Sequence, residues 1–408
     1  MAPAGRRLCL HRWTQFLARL STPRRPRRAL LSVVGSDTMP FIHGLCTADV
    51  QSHAAQTPKC LASCFLDRRG RVLFDALLYL RSPEEMWIEV DNRVAAVARE
   101  HLQRYRLRAR VALGALERSH ELYVQVPGNI QHAAEWQADA LPQAVHTMDP
   151  RWPPLGRRLW LPGTATISHR PPHHSPLASS SVYQLYRILQ AVPEGVEDVP
   201  AHEALPLECN FERLQAIAFH KGCYLGQELT ARTHHVGVVR KRLVSGVLAR
   251  SAAEAMQRAA AAEQFVAAAE EEVEVGLPHG MKSVFPDEAV IDYRAEQWLQ
   301  GYALTQADLQ DVGASHEPVD ATAAASAADG SRIGVRTAST TAAARSRRPV
   351  GSLRSRAWNV ALALVRLADA DLRADLPLEA RLLQVDTPAA TSPLYFCWWI
   401  PPYLRQPK

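Results

Sequence analysis

One cysteine in this sequence stands in a setting that suits thiol chemistry. Cys223 lies between Gly222 and Gly226, two residues after Lys221, at the predicted start of a helix. Backbone N–H groups at a helix N-terminus and a neighbouring ammonium both favour a thiolate over a thiol. A thiolate acts as a nucleophile or as a metal ligand. The alternative is a buried cysteine that packs as a small apolar side chain.

The residues around Cys223 form the candidate functional site. The Lys, Gln, Glu and Arg side chains of this stretch are poor formers of a hydrophobic core, which favours an exposed motif. We expect Cys223 to be the metal ligand, and we assign no catalytic residue. The candidate residues are Lys221, Gly222, Cys223, Tyr224, Gly226, Gln227, Glu228 and Arg232.

The other cysteines predict neither a disulfide framework nor a zinc site. The seven cysteines of the sequence have no paired spacing, which fits a reducing compartment. Cys60 and Cys64 are four residues apart in an apolar stretch that is typical of a strand. Zinc sites favour Cys-x-x-Cys pairs with a second pair of ligands, so we expect Cys60 and Cys64 to pack in the core.

The basic charge of the chain is concentrated at its N-terminus. The formal net charge is +6, but residues 1–28 hold eight arginines and no acidic residue, and the rest carries 39 basic and 41 acidic residues. Arginines mixed with apolar residues at helical spacing predict a transit peptide over 1–28. We therefore expect import into an organelle, and composition does not separate a mitochondrion from a plastid. A disordered basic arm that binds RNA or anionic lipid is the alternative to targeting.

The remainder of the chain gives little reason to expect a polyanion or a membrane as partner. Its basic and acidic residues nearly balance, so we expect no nucleic acid to bind. No segment approaches the roughly 18 to 20 apolar residues of a membrane span.

Periodicity along the chain predicts an α+β fold. Alternating apolar residues at Val72–Leu80 and Trp87–Val90 predict a hairpin, which a helix at 94–105 and a strand at 122–126 follow. This order is typical of helices packed on one face of an antiparallel sheet. A short helix at 210–219 is predicted to lead to the cysteine motif.

The cysteine motif also carries a family resemblance. Residues 221–228 resemble the K-G-C-Y-x-G-Q-E signature of the folate-binding YgfZ family, whose members are similar to the glycine-cleavage T-protein. Further motifs at 41–50, 65–72, 206–211 and 350–366 resemble the family in the same order. The shared order argues against coincidence.

The resemblance implies a fold, a function and partners. The fold is α+β, with the plaited antiparallel sheets and helices of the T-protein, a small C-terminal β-barrel and a cavity that holds tetrahydrofolate. The implied function is iron-sulfur cluster assembly in the mitochondrial matrix, with a plastid as the alternative compartment. The protein aids the maturation of 4Fe-4S proteins and uses a transferase-like fold without enzymatic turnover. Its partners are an A-type iron-sulfur scaffold protein and client 4Fe-4S enzymes. Cys223 then meets an iron-sulfur cluster that is shared with a partner.

The resemblance also implies folate contacts and domain boundaries. Arg187 and Gln190 lie on the helix that contributes to the folate cavity in the family. Residues after 249 change to an Ala/Glu-rich composition that the family motifs skip, which predicts an insertion with a disordered part. The predicted domains are a transit peptide at 1–28, a folate-binding domain at 29–240, and a C-terminal β-barrel domain at 241–403 that a partly disordered insertion interrupts at about 252–348.

Two enzyme classes remain as alternatives. Folate-dependent aminomethyltransferases typically lack the cysteine at 223 and have Glu at the position of Gln190, and an amide cannot offer the charge-assisted acceptors of a carboxylate. A thiol redox enzyme would use Cys223 as nucleophile, Cys209 as resolving thiol, and a neighbouring histidine such as His234 or His235 as base.

Overall fold

The structure is a computed structural model that describes residues 16–21, 27–53, 59–116, 119–126, 144–162, 177–178, 180–270, 334–337, 351–357, 359–366, 376–385 and 394–405. These residues form two five-stranded sheets and a closed six-stranded barrel with accompanying helices, so the predicted α+β class is confirmed. The strands are β1 (Phe16–Ser21), β2 (Arg28–Val34), β3 (Lys59–Leu66), β4 (Val72–Ser82), β5 (Glu85–Asp91), β6 (Ala112–Ala115), β7 (His120–Val126), β8 (Val145–Met148), β9 (Arg157–Pro162), β10 (Leu177–Ala178), β11 (Lys241–Ala249), β12 (Gly334–Thr337), β13 (Gly351–Ala357), β14 (Val360–Arg366), β15 (Leu382–Val385) and β16 (Leu394–Trp399). The α-helices are α1 (Thr38–His43), α2 (Ala95–Arg106), α3 (Ser180–Leu189), α4 (Gln227–Val236), α5 (Ala252–Glu270) and α6 (Pro402–Arg405).

The first sheet has the strand order β3-β4-β5-β2-β6 and is antiparallel throughout. Its strand β4 is buried from Val72 to Leu80, because both faces of the sheet are covered. Alternate side chains enter two different cores, with Leu77 and Tyr79 in one and Ala76 and Leu78 in the other. Helix α2 packs into the second core. The predicted hairpin and the helix after it are confirmed.

The second sheet has the order β10-β1-β7-β9-β8 and contains two surprises. Its strand β1 pairs with β7 and β10 and lies inside the predicted transit peptide 1–28. Arg28, the last residue of that prediction, is buried in β2. A removable segment would therefore have to end before Phe16 to leave this sheet intact. Strands β8 and β9 lie within residues 138–180, where many Pro and His residues favour irregular structure, and pairing within this sheet overrides that local preference.

Buried ion pairs join the two sheets. Glu89 of β5 accepts hydrogen bonds from Arg28 Nε at 2.8 Å, from Arg158 of β9, and, in the same pocket, from the Tyr79 hydroxyl at 2.6 Å and Trp160 Nε1 at 3.1 Å. Burial alone would raise the pKa of Glu89, but Arg158 and Arg28 lower it overall. A buried charge is tolerated only when it is paired in this way.

The barrel has the order β11-β14-β13-β12-β15-β16 and is antiparallel at every pairing. Helix α5 covers it with the buried small residues Ala255, Ala259 and Ala262, whose spacing makes one apolar stripe. Both α5 and β12 belong to the range 252–348 that was predicted as an insertion, so these parts of it are integral to the barrel domain. The rest of that range lies outside the described residues. None of the described helices is long and apolar enough to cross a membrane.

Irregular backbone, not a helix, leads to the cysteine motif. The predicted helix at 210–219 was wrong, because the chain there forms successive turns. Asn210 and Gln215 have φ angles of 62° and 56°, in the left-handed region that interrupts a right-handed helix. Asn210 Nδ2 donates to Leu243 O at 2.8 Å, which ties these turns to the barrel.

Candidate functional site

Cys223 is exposed, and it differs in this from every other described cysteine. A Cβ added at the preceding Gly222 would meet nothing within 4 Å, so the loop is open to solvent. Burial raises the pKa of the Cys64 thiol to about 12, which keeps that group protonated and inert. The prediction that Cys60 and Cys64 pack in the core is confirmed. The buried cysteines are Cys46, Cys60, Cys64, Cys209 and Cys397.

The Lys221 ammonium lies under the loop. Its Nζ donates hydrogen bonds to the backbone carbonyls of His43 at 2.6 Å, Cys46 at 2.8 Å and Ala48 at 2.8 Å. These three acceptors use all the donors of an ammonium group. Burial lowers the pKa of Lys221, against the opposing effects of the nearby Cys46 and Asp49. Lys221 therefore fixes the start of the cysteine loop to the segment that follows α1.

Two expectations about the cysteine are corrected by this geometry. The Lys221 ammonium was expected to act on the Cys223 thiol, but its three N–H donors are bonded to carbonyls of another segment. Helix α4 was expected to begin at the cysteine, but it begins at Gln227, with Gly226 as its N-cap. The influence of a helix N-terminus fades beyond its first turn. The feature that distinguishes Cys223 is therefore its exposure to solvent.

Two glycines clamp the end of the loop against the turn after β3. Gly226 has φ +79°, and a Cβ there would collide with Asp67 O and lie 2.8 Å from Leu66 Cβ. Gly70 has φ +78°, and a Cβ there would lie 2.8 Å from Leu229 Cβ and 2.9 Å from Gly226 O. Only glycine combines this backbone conformation with so close an approach. The motif at 65–72 and the cysteine motif thus meet at this pair.

The middle of the loop is held by the buried Tyr224 ring and by two hydrogen bonds from its backbone. Tyr224 is buried, and its ring centroid lies 4.9 Å from Lys221 Nζ. Burial raises the pKa of Tyr224, so its hydroxyl stays neutral. The Tyr224 N–H donates to Gln227 Oε1 at 3.1 Å, and the Leu225 N–H donates to Gly44 O at 3.1 Å. These contacts leave Gly222 and Cys223 exposed between the anchored residues Lys221 and Tyr224.

Thr47 is a structural residue of the site that the sequence did not single out. Its hydroxyl donates to Ala216 O at 2.6 Å and accepts from the Cys64 N–H at 2.9 Å. Its carbonyl accepts from the Ala218 N–H at 2.9 Å. Thr47 therefore connects β3 to the irregular segment that leads to Lys221. The one signal in the sequence that could have identified Thr47 is its position within the motif at 41–50.

Helix α4 carries the last candidate residues on its exposed face. Glu228 and Arg232 lie one turn apart, with side chains 91% and 65% exposed and an N–O distance of 3.9 Å. An ion pair this exposed contributes little to stability. Thr230 is the buried residue of the helix. At the far end, the His234 ring stacks on Phe219 with centroids 3.6 Å apart.

Within the part of the chain that the structure describes, Cys223 does not belong to a cluster of metal-ligating side chains. No group of three or more His, Cys, Asp and Glu residues there could hold a metal ion. The proposed resolving thiol Cys209 is 3% exposed, and burial raises its pKa well above the usual range. The His234 ring stacks on Phe219 at the far end of α4. The structure therefore does not offer Cys209 as the second, resolving thiol that a redox enzyme needs.

The two predicted folate contacts lie inside the protein. Arg187 is 3% exposed and donates to Val192 O at 2.6 Å and to Asp198 at 2.5 Å. Gln190 is fully buried, and its Oε1 accepts from Trp152 Nε1 at 3.0 Å. Its Nε2 meets no acceptor in good hydrogen-bond geometry among the described residues. Arg187 does not fit as a folate contact, whereas Gln190 retains one amide donor.

Known proteins share this sequence pattern. The chain is 39% identical over 232 residues to the human "Iron-sulfur cluster assembly factor IBA57, mitochondrial", a match that covers 53% of this chain and 63% of the human protein. A protein of Coccidioides immitis named "Iron-sulfur cluster assembly factor IBA57 homolog, mitochondrial" is 36% identical over 259 residues, 57% of this chain and 60% of that protein. The chain is related to these assembly factors. It matches less than two thirds of the length of each relative.

The fold comparison agrees with the family motifs. The crystal structure of glycine cleavage system aminomethyltransferase T from Bartonella henselae superposes with a TM-score of 0.53 at 11% identity, covering 97% of this chain and 89% of that one. Residues 318–393 match the family described as "CAF17, C-terminal beta-barrel domain". The predicted T-protein-like fold with a C-terminal barrel is confirmed, and so is the resemblance read from the motifs.

Proposed function

We propose that this chain is a mitochondrial iron-sulfur cluster assembly factor for 4Fe-4S proteins, and that Cys223 binds iron of a cluster shared with a partner. The observation that carries the proposal is the exposure of Cys223 on an anchored loop, while the other described cysteines are buried. The names of the IBA57 relatives support the role and the organelle. Within the organelle we propose the matrix.

The chemistry of the site favours a shared cluster over a resident one. Soft thiolate ligands suit iron-sulfur clusters, and a cluster is ordinarily held by four protein ligands. Cys223 supplies one, and the described residues contain no group that completes the set. The remaining ligands must come from a partner, for which an A-type iron-sulfur scaffold protein is our candidate. Client 4Fe-4S enzymes then receive the finished cluster.

Anaerobic mixing with a cluster-loaded A-type scaffold tests this proposal. Wild-type protein is expected to form a complex with the visible absorbance of an iron-sulfur cluster, and Cys223→Ser is expected to lose it, because a serine hydroxyl ligates iron poorly. Cys64→Ser is the matched control, since it buries a hydroxyl in the core and lowers stability without touching the loop. Normal cluster spectra with Cys223→Ser would refute the proposal.

We further propose tetrahydrofolate as a weak ligand near Gln190. The buried Nε2 of Gln190 supports this, because its one contact, with the Tyr186 hydroxyl, falls short of good hydrogen-bond geometry and an amide donor can meet an acceptor of a pterin ring. Calorimetric titration with tetrahydrofolate tests the binding, and Gln190→Glu is expected to tighten it if the side chain occupies the carboxylate position of the transferases. Absence of heat at high folate concentration would reject this ligand and leave the role of Cys223 untouched.

A further inference from the structure

Two exposed arginines stand on the turn that follows β3. Arg68 and Arg69 are its central residues, and the Gly70 N–H donates to Asp67 O at 3.0 Å to close it. The Asp67 carboxylate also accepts from the backbone N–H groups of Arg69 at 2.8 Å and Arg71 at 3.0 Å. These bonds hold the turn rigidly while the two guanidinium groups remain in solvent.

This turn is in contact with the cysteine loop. Gly226 lies directly against Asp67 O and Gly70, with no room for a side chain between them. Gly226 is three residues after Cys223, so the arginine turn packs against the C-terminal end of the loop that carries the exposed thiol. Arg232 lies on α4, the helix that begins directly after this loop and whose Leu229 packs against Gly70 of the turn.

The balance of exposed charge around the thiol is positive. Arg232 is 3.9 Å from Glu228, which offsets part of its charge. The Asp67 carboxylate is shared with His202 at 3.1 Å. Among the described residues, neither Arg68 nor Arg69 forms an ion pair. Two arginines thus present uncompensated charge on this side of Cys223.

We infer that Arg68, Arg69 and Arg232 form a basic docking surface for an acidic protein that carries a thiolate-bound cluster. This inference rests on the proposed function and names the chemistry of its partner. Thiolates and sulfides outweigh the charge of the irons, so such a cluster is anionic. An acidic rim on the partner matches the arginines, and opposite charges of this kind speed encounter and fix orientation. The surface steers the partner's cluster toward Cys223.

Association kinetics with the cluster-loaded A-type scaffold test this surface, with the full chain at low and at high salt. The double variant Arg68→Glu, Arg69→Glu is expected to associate about tenfold more slowly than wild type at low salt, with the difference shrinking at high salt. Arg68→Gln, Arg69→Gln should give a smaller loss in the same direction. The final cluster spectrum should be unchanged, and thermal melting should match wild type because both side chains are exposed.

A charge-matched control separates docking from net charge. Arg104 and Arg108 are exposed at the C-terminal end of α2, and Arg104→Glu, Arg108→Glu should leave the association rate near wild type. Equal slowing by both double variants would overturn the inference. Wild-type rates for Arg68→Glu, Arg69→Glu, with Cys223→Ser still losing the complex, would overturn the surface and leave the proposed function standing. If these arginines govern binding to phosphatidylcholine-cardiolipin vesicles but not to the scaffold, the surface is a lipid site and the inference falls.

Discussion

The cysteine loop and the helix that carries the predicted folate contacts use their motif residues in opposite ways. At the loop, buried Lys221 and Gly226 hold the backbone, and the reactive candidate Cys223 is exposed. On α3, the candidates Arg187 and Gln190 are themselves the buried, bonded residues. A residue of suitable chemistry in a family motif can therefore take part in the chemistry or stabilise the fold around it. Its burial and its bonding partners distinguish these two roles. The substitutions below test that division.

Removal of the Arg187 charge should have the largest effect on stability. Arg187→Leu leaves the Asp198 carboxylate buried without its counter-ion, which is expected to lower the free energy of unfolding by about 3–5 kcal/mol. Chemical denaturation measures the loss, with the exposed Arg104→Leu as control. A loss comparable with the control would mean that Arg187 is available to a ligand and that the contrast between the two sites fails.

Lys221→Met should come next, because it deprives three backbone carbonyls of their donor. The expected loss is about 2–3 kcal/mol of unfolding free energy, since hydrogen bonds to a charged group are among the stronger ones. Cys223→Ser is its partner variant and should stay within about 0.5 kcal/mol of wild type as a surface change. The reverse ranking would show that the thiol supports the loop.

The glycines on either side of Cys223 provide a smaller and closely matched test. Gly226→Ala should lower stability by about 1–2 kcal/mol, because alanine is strained at φ +79° and its Cβ meets Asp67 O. Gly222→Ala has open space around it and should be nearly neutral. Thermal melting of the two variants checks this, and equal melting temperatures would contradict the clamp.

A buried histidine far from the motif in sequence gives the smallest effect and a baseline for pH experiments on both sites. Burial lowers the pKa of His101 to about 4, from an ordinary value near 6.5. The unfolded chain therefore binds a proton between these values that the folded protein excludes, so stability falls as pH drops from about 6.5 toward 4. At pH 5.5 the loss is about 1.4 kcal/mol. His101→Phe should flatten this part of the denaturation profile, and an unchanged slope would show that other groups cause it.

Regular elements with one clear period could be predicted from the sequence, and elements fixed by distant contacts could not. The β4–β5 hairpin has strict alternation, and α2 has one apolar stripe. The short strands β8 and β9 gain their stability from pairing within the second sheet, which local composition does not reveal. Helix α5 packs on the barrel through a stripe of alanines, which composition alone does not distinguish from an Ala-rich inserted segment.

The candidate site was predictable in its residues but not in its geometry. Polar neighbours correctly indicated that Cys223 is exposed, because such side chains rarely enter a core. The Lys221 side chain is buried because it binds backbone carbonyls between His43 and Ala48, more than 170 residues earlier in the chain. No local sequence pattern specifies that contact. The left-handed residue Gly226 delays the start of α4, and this conformation follows from contact with the turn at Asp67.

Native-state alkylation followed by mass spectrometry tests most directly the claim that Cys223 is the accessible thiol that binds the shared cluster. In the free protein, Cys223 should react with iodoacetamide rapidly, while the five buried cysteines react only on unfolding. In the complex with cluster-loaded scaffold, Cys223 should become protected, and removal of iron with a chelator should restore its reactivity. Equal alkylation of Cys223 in the free protein and in the cluster-bearing complex would contradict the account.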